Sequence, residues 1–253
     1  MAGKTRADLL LVKLGLAPSR ERARALVLAG KVFVGDKRVD KAGDQLPDAA
    51  ALVVRGDDLP YVSRGGVKLA GALDAFGVDP TGRVVADIGA STGGFTDCVL
   101  SRGAARVYAI DVGYGQLHEK LRKDPRVVVM ERTNARHLKE GDLPEKIDLV
   151  LVDASFIGLD KLLPAAKLLL RDGGEIVALV KPQFEVGKGA VGKRGVVRDP
   201  EVRAAAIDRV QHDAQALGLE LLARTDSTLP GPEGNLEAFL HLRKSFGDTH
   251  QNP

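Results

Sequence analysis

The run Val84-Val85-Ala86-Asp87-Ile88 passes directly into Gly89-Ala90-Ser91-Thr92-Gly93-Gly94-Phe95-Thr96-Asp97. A β-branched strand therefore ends in a glycine turn that opens a helix. This order commits the chain to a strand-turn-helix unit with a ligand shelf at the strand's carboxyl end. Glycines at 89, 93 and 94 remove the Cβ atoms that would hold a ligand off the backbone. A second strand, Arg106-Val107-Tyr108-Ala109-Ile110, is closed by Asp111, where a carboxylate can grip ribose hydroxyls.

Loosely spaced glycines alone do not name the ligand, because nicotinamide and flavin enzymes carry them too. The acidic flank narrows the choice. A phosphate cradle wants backbone N–H donors and few carboxylates, and Asp87 at the strand tip would repel a pyrophosphate. It suits a cation instead, and S-adenosylmethionine carries a sulfonium and an ammonium. The plainer alternative is that Asp87 caps the helix at Phe95. Besides Asp87, the expected contacts are Gly89, Ser91, Thr92, Gly93, Gly94 and Phe95 along the turn, Asp111 on the ribose, and Asn134 at an adenine edge. Tyr114 is read as packing rather than as an adenine platform.

The alternation continues. Strand-like runs at 83–89, 105–111, 126–130, 147–153 and 175–181 interleave with helical stretches near 93–103, 115–124 and 160–171, which predicts a parallel sheet with helices on both faces. A helix from Pro200 to Leu217 follows, and then Glu220–Asp226 and Ala238–Arg243 read as an antiparallel hairpin at the sheet edge. The expected fold class is thus α/β: a Rossmann-like sheet with an antiparallel C-terminal hairpin, preceded by a small α+β module.

That module occupies residues 1–54. Arg6 to Leu14 reads as a short amphipathic helix stopped by Gly15; Arg20 to Leu28 reads as a second, ended by Gly30; Lys31 to Val39 alternates like a hairpin around Gly35-Asp36. The positive charge is concentrated here. Residues 1–57 hold eleven Lys and Arg against seven Asp and Glu, a net of +4, so with +3 for all 253 residues the remainder sums to −1. Arg20 and Arg24, four apart on one helical face, join Arg6 and Lys31 as a candidate cationic strip. The order helix, Ser-Arg-x-x-Ala helix, Gly-Lys-Val and hairpin resembles the S4 RNA-binding domain, which implies contacts to the phosphates of structured RNA. Residues 55–60, polar and broken by Gly and Pro, read as a linker, 61–246 as the larger domain and 247–253 as a frayed tail.

Other classes fall away on composition. No apolar run approaches the roughly 18 residues needed to cross a bilayer, and Met1 to Asp8 lacks the apolar core of a signal peptide, so a cytoplasmic protein without membrane contact is expected. The single Cys98 cannot form an internal disulfide, and the five histidines show no ligand spacing, so no metal is expected. Cys98 also lies in the helix after the glycine turn, on the cofactor side, which argues against a cytosine C5-methyltransferase nucleophile.

In open α/β sheets ligands bind beyond the carboxyl ends of strands. Asp153 ends Leu149-Val150-Leu151-Val152, Lys181 ends Ile176-Val177-Ala178-Leu179-Val180, Lys68 begins the helix before the first sheet strand, and Glu237 opens the last. A lysine directly after an apolar strand needs a carboxylate to offset its desolvation, and Asp153 is the natural partner. Between Glu185 and Asp199 lies a glycine-punctuated basic loop with Lys188, Lys193 and Arg194, suited to clamping RNA phosphates. Phe156 and Phe184 flank these positions and are expected in the core.

Four motifs in order, Ser63-Arg64-Gly65-Gly66-Val67-Lys68-Leu69, Asp153-Ala154-Ser155-Phe156-Ile157, Lys181-Pro182-Gln183-Phe184-Glu185 and Gly234-Asn235-Leu236-Glu237, resemble the TlyA family over nearly the whole chain. These are ribosomal RNA 2′-O-methyltransferases with an S4 domain ahead of an FtsJ-like domain, some of them labelled haemolysins. The resemblance implies a catalytic tetrad on Lys68, Asp153, Lys181 and Glu237, S-adenosylmethionine as methyl donor, ribosomal RNA or a ribosomal subunit as partner, and a cytidine ribose as target. One departure is Ala154, where a larger residue such as valine is expected; it bears on local packing. A ribose hydroxyl is a poor nucleophile until its proton is loosened. A free lysine, with a pKa of about 10.4, is protonated at neutral pH, so Lys181 is the base only where Lys68 and burial favour its neutral form, and otherwise it orients the hydroxyl. The rival readings are a pore-forming haemolysin and a catalytically inactive RNA-binding protein. Oligomeric state is left open.

Overall fold

The computed structural model describes residues 3–246 except 18, 29, 36, 55–59, 187–190, 193, 194 and 232. Most of the expected linker, the expected tail, and Lys188, Lys193 and Arg194 of the basic loop therefore lie outside the described residues. The chain divides into two compact units, Met1–Asp58 and Leu59–Pro253.

In the first unit, strand β1 (Lys4–Arg6) leads into helices α1 (Ala7–Lys13) and α2 (Arg20–Leu28), followed by β2 (Val32–Val34), β3 (Lys37–Arg38), β4 (Gln45–Pro47) and β5 (Leu52–Val54). β2 pairs antiparallel with both β3 and β5, as the alternation from Lys31 to Val39 predicts for the first pair. Arg6 is the end of a strand, not the start of a helix, because β1 pairs antiparallel with β4, Arg6 opposite Gln45. Leu10, Leu11, Ala23, Leu26 and Val27 from the two helices close over Val32 as the core.

The second unit runs α3 (Arg64–Phe76), β6 (Val84–Ile88), α4 (Gly94–Ser101), β7 (Arg106–Ile110), α5 (Glu119–Arg122), β8 (Val127–Met130), β9 (Ile147–Val152), α6 (Leu163–Leu169), β10 (Leu170–Val180), α7 (Pro182–Glu185), α8 (Pro200–Ala216), β11 (Leu219–Asp226) and β12 (Ala238–Lys244). Its seven-stranded sheet has the order β11-β12-β10-β9-β6-β7-β8. The five strands from β10 to β8 are parallel, and β12 is antiparallel to both β10 and β11.

Side chains alternate across the sheet with period two. Val150 and Val152 join Ile88, Ile176 and Leu163 on one face; Leu149 and Leu151 join Val85, Val177 and Phe239 beneath Leu69 and Leu73 of α3 on the other. Burial on both faces explains why these strands read as unbroken apolar runs.

Two boundaries differ from expectation. The helix expected at 115–124 is a single turn, Glu119–Arg122, capped by His118 accepting from Lys120 N, while Gly115 N donates to Glu131 Oε1 ahead of it. β10 begins at Leu170, five residues early, and shifts register between Leu170 and Glu175, where Gly173 holds a φ of +71°.

Candidate active site

Beyond the carboxyl ends of β6, β9 and β10 lies a cavity of about 730 Å³ whose walls include Lys68, Asp87, Gly89, Asp153, Lys181 and Glu237. β9 and β10 are adjacent and parallel, so Asp153 and Lys181, each the first residue past its strand, emerge side by side. Lys181 Nζ forms an ion pair with Asp153 Oδ1 at 2.6 Å and donates to Ser155 Oγ at 2.9 Å.

Lys68, on the second turn of α3, donates to Glu237 Oε2 at 2.5 Å. Both partners are nearly sealed from solvent, with side chains 8 % and 1 % exposed. Glu237 Oε1 has no hydrogen-bond partner, and a Cβ on Gly231 would fall 2.6 Å from it. Two lysine–carboxylate pairs thus converge on one cavity.

Asp87 is wholly buried. Its Oδ2 accepts from Thr96 N at 2.9 Å and Thr96 Oγ1 at 2.6 Å, so the helix-capping role holds for one oxygen, at Thr96 rather than Phe95. Its Oδ1 has no partner. Burial foremost, with repulsion from Asp153 and Asp111, pushes the carboxyl up to about 7 against the opposing Thr96 hydrogen bonds. A buried acceptor left open beside a cavity is a place for a cationic group.

The turn glycines have a further reason within the protein's own packing. At Gly89 (φ +85°) a Cβ would sit 2.5 Å from the Asp153 carbonyl oxygen; at Gly93 (φ +93°) it would strike Leu121 at 2.2 Å, and at Gly94 it would strike Ser63 Oγ at 2.1 Å. The protein's own close packing demands all three. Gly89, Ser91, Thr92, Gly94 and Phe95 still line the cavity, whereas Gly93 turns toward Leu117 and Leu121.

A second cavity of about 330 Å³ shares Gly89, Ser91, Asp153 and Phe156 with the first and adds Asp111, Asn134 and apolar Ile88, Ile157 and Leu162. Asp111 Oδ2 accepts from Ser91 N at 2.8 Å and Oδ1 from Gly113 N at 2.7 Å. Asn134 Oδ1 accepts from Arg136 N at 3.1 Å. An apolar slot edged by a carboxylate and an amide fits a nucleoside, and it shares a wall with the first cavity, which Asp87 lines; the residues present fit S-adenosylmethionine.

Two aromatic expectations are overturned. Phe156 is not core: it is 90 % exposed, holds a φ of +66° and lies 5.2 Å from the Phe184 ring. Tyr114 is 70 % exposed, with the Arg132 guanidinium 4.3 Å over its ring. The cationic strip also changes character. Arg6 Nη2 and Arg20 Nε both meet the buried Asp8 Oδ2 at 3.0 Å, and these contacts, Arg6 foremost, hold the Asp8 carboxyl down to about 2. Arg24 is exposed on α2 and Lys31 half-buried before β2.

Residues that the sequence did not single out also shape the site. Ser155 holds Lys181, and buried Asn235 accepts from Val197 N and donates to the Gly195 carbonyl, both at 2.9 Å. Asn235 stands two residues before Glu237, inside a motif already quoted, but its partners lie about 40 positions away. Among the described residues no group of three or more His, Cys, Asp or Glu is placed to hold a metal ion, and no helix is long and apolar enough to cross a membrane.

Residues 61–244 match the FtsJ-like methyltransferase family and residues 5–49 the S4 domain. The chain is 51 % identical over 244 residues to the 16S/23S rRNA (cytidine-2′-O)-methyltransferase TlyA of Mycobacterium tuberculosis, covering 96 % of this chain and 91 % of that one. It is 39 % identical to Hemolysin A of Brachyspira hyodysenteriae, over 90 % of this chain and 95 % of that one. A solved structure of a hemolysin-named protein from Streptococcus thermophilus superposes with a TM-score of 0.75 at 42 % identity, covering 97 % of this chain and 90 % of the other. With both domains matched in order, and near-full-length identity far above what fold alone would leave, the chain belongs to the TlyA family of S4-bearing, FtsJ-like methyltransferases.

Proposed function

We propose that this protein transfers a methyl group from S-adenosylmethionine to the 2′-hydroxyl of a cytidine in ribosomal RNA. The observation that carries the reading is the convergence of the Lys68–Glu237 and Lys181–Asp153 pairs on a cavity that also holds the open acceptor of buried Asp87. The name of the Mycobacterium tuberculosis relative supports the choice of ribosomal RNA and cytidine.

S-adenosylmethionine, when bound, supplies an electrophilic methyl group. Asp87 would face its positive charge, and Asp111 and Asn134 its nucleoside. The remaining work falls to the chain's own residues. Lys181 Nζ, held by Asp153 and Ser155, orients the attacking hydroxyl and stands where its proton must leave. Glu237 fixes Lys68 on the wall of the same cavity. The released proton belongs to this coupled set of amines and acids rather than to one member. Arg24 and the other basic residues of the first unit, with the basic loop at 186–198, would hold the RNA backbone.

The deciding measurement is mass mapping of 2′-O-methylated nucleotides in ribosomal RNA from cells with and without the protein, and in RNA incubated with purified protein and S-adenosylmethionine. A new methyl on a cytidine ribose is the expected result. Methylation of a base, or none, rejects the reading. The haemolysin names belong to relatives, and among the described residues no helix is long and apolar enough to cross a membrane.

A further inference from the structure

Contacts at three places bridge the segment Asp153–Leu159, which leaves β9, to the segment Lys181–Glu185, which leaves β10. At the near end Lys181 Nζ meets Asp153 Oδ1 and Ser155 Oγ. In the middle the Phe156 and Phe184 rings lie 5.2 Å apart. At the far end Leu159 N donates to Glu185 Oε1 at 2.9 Å. Glu185 is buried, and its Oε2 accepts from Arg209 Nη2 of α8 at 3.2 Å.

The near contact belongs to the proposed site. The far one does not, yet it has features of a built junction. Burial pushes the Glu185 carboxyl above its ordinary range, against the pull of Leu159 N–H and Arg209, so this acid is kept at a cost that an apolar residue would avoid. The segment it anchors includes Phe156 in the left-handed region, a conformation that persists only where the surroundings over-determine it. A Cβ on Gly158 would stand 2.6 Å from Asp160 Oδ1 and 3.3 Å from Glu185 Oε2, so the carboxylate passes close under the backbone there. The helix between Lys181 and Glu185 is one turn long, so the near and far contacts are made from the two ends of one short element.

We infer that Glu185 is a positioning residue for methyl transfer: by holding Leu159 N–H against α8 and α7 it fixes the Asp153–Gly158 segment, and through that segment the place of Asp153 and Ser155 beside Lys181. The inference rests on the function proposed above. Its mechanism is geometric, since a loop closed at both ends has far fewer conformations than one held only at Lys181, and small displacements of reacting groups cost rate steeply.

Glu185→Gln and Glu185→Asp separate this role from charge and from general stability. Glutamine keeps an acceptor at full reach for Leu159 N–H and loses the charge; aspartate keeps the charge one methylene short. Glu185→Asp is expected to lower kcat at least tenfold while KM for RNA and Kd for S-adenosylmethionine stay within threefold, and Glu185→Gln to stay within threefold of wild type in all three. Hydrogen exchange at the Leu159 amide is expected to be slow in wild type and Glu185→Gln and fast in Glu185→Asp, with each variant's folded fraction measured by circular dichroism at the assay temperature. An unchanged kcat in Glu185→Asp despite fast Leu159 exchange overturns the inference, as does a Glu185→Gln kcat that falls as far as that of Glu185→Asp. Wild-type protein inactive on ribosomal RNA would overturn the proposed function instead, a result distinct from an active wild type with unaffected variants.

Discussion

Lys68 and Glu237 combine two consequences that substitution can pull apart. Removing one partner of a sealed ion pair leaves an uncompensated charge, at a cost of roughly 3–5 kcal/mol, whereas replacing both by apolar residues of similar volume is often neutral. Lys68→Met alone should therefore lower unfolding free energy by about 3 kcal/mol, and Lys68→Met with Glu237→Leu should recover most of it while remaining inactive. Urea unfolding and methyl-transfer assays on the same samples check both halves. Lys181 stands in a more open position, so Lys181→Ala should cut turnover at least a hundredfold and leave S-adenosylmethionine affinity within threefold by calorimetry. Asp87 makes the pH dependence specific. Its folded carboxyl titrates at about 7 against an ordinary 3.8, so between these values the folded chain holds a proton that the unfolded chain has lost. Stability from this group is therefore present below about pH 4 and declines as pH rises through about 7. A cationic ligand selects the ionised form, so affinity for S-adenosylmethionine should climb toward pH 7 and level off above it. Asp87→Asn should flatten that profile and weaken binding at least tenfold.

The elements show what a linear reading can and cannot see. β6, β7 and β9 were legible because a strand buried on both faces is an apolar run bounded by turn residues, whereas β8, a half-buried edge strand, was legible from its β-branched run alone. β1 was not, since Lys4-Thr5-Arg6 has no apolar pattern and is a strand only because Gln45–Pro47 lies beside it. The Lys181–Asp153 pairing followed from a charge emerging at an apolar strand end. The Lys68–Glu237 pairing, 169 positions apart, entered only through family resemblance. The exposure of Phe156 had no sequence signal, because its position depends on how the loop after β9 is held and not on local periodicity. Gly89 carries a packing demand with no sequence signal, and it is testable: with φ at +85° and the Asp153 carbonyl oxygen 2.5 Å from where a Cβ would sit, Gly89→Ala should cost about 2 kcal/mol or more. Thermal unfolding should register the loss, and cofactor affinity should fall with it because β6 and β9 are forced apart where Asp87 and Asp153 stand.

At the scale of the whole molecule the proposed function divides recognition and chemistry between the two units. Arg6 and Arg20 are tied to buried Asp8, so their substitution confounds RNA contact with the folding of the first unit; exposed Arg24 does not carry that complication. Arg24→Ala is expected to weaken RNA binding, to reduce the slope of log affinity against log salt by about 1, and to leave S-adenosylmethionine affinity unchanged, as titrations at several salt concentrations would register. The sheet order has a consequence for the timing of biosynthesis. β11 is made before β12 yet touches the sheet only through it, and β12 occupies the place next to β10. Until β12 is made, β10 has a bare edge, β11 lacks its partner in the sheet, and the amine of Lys68 lacks the carboxylate of Glu237 just ahead of that strand, so the site described above is expected to be assembled last.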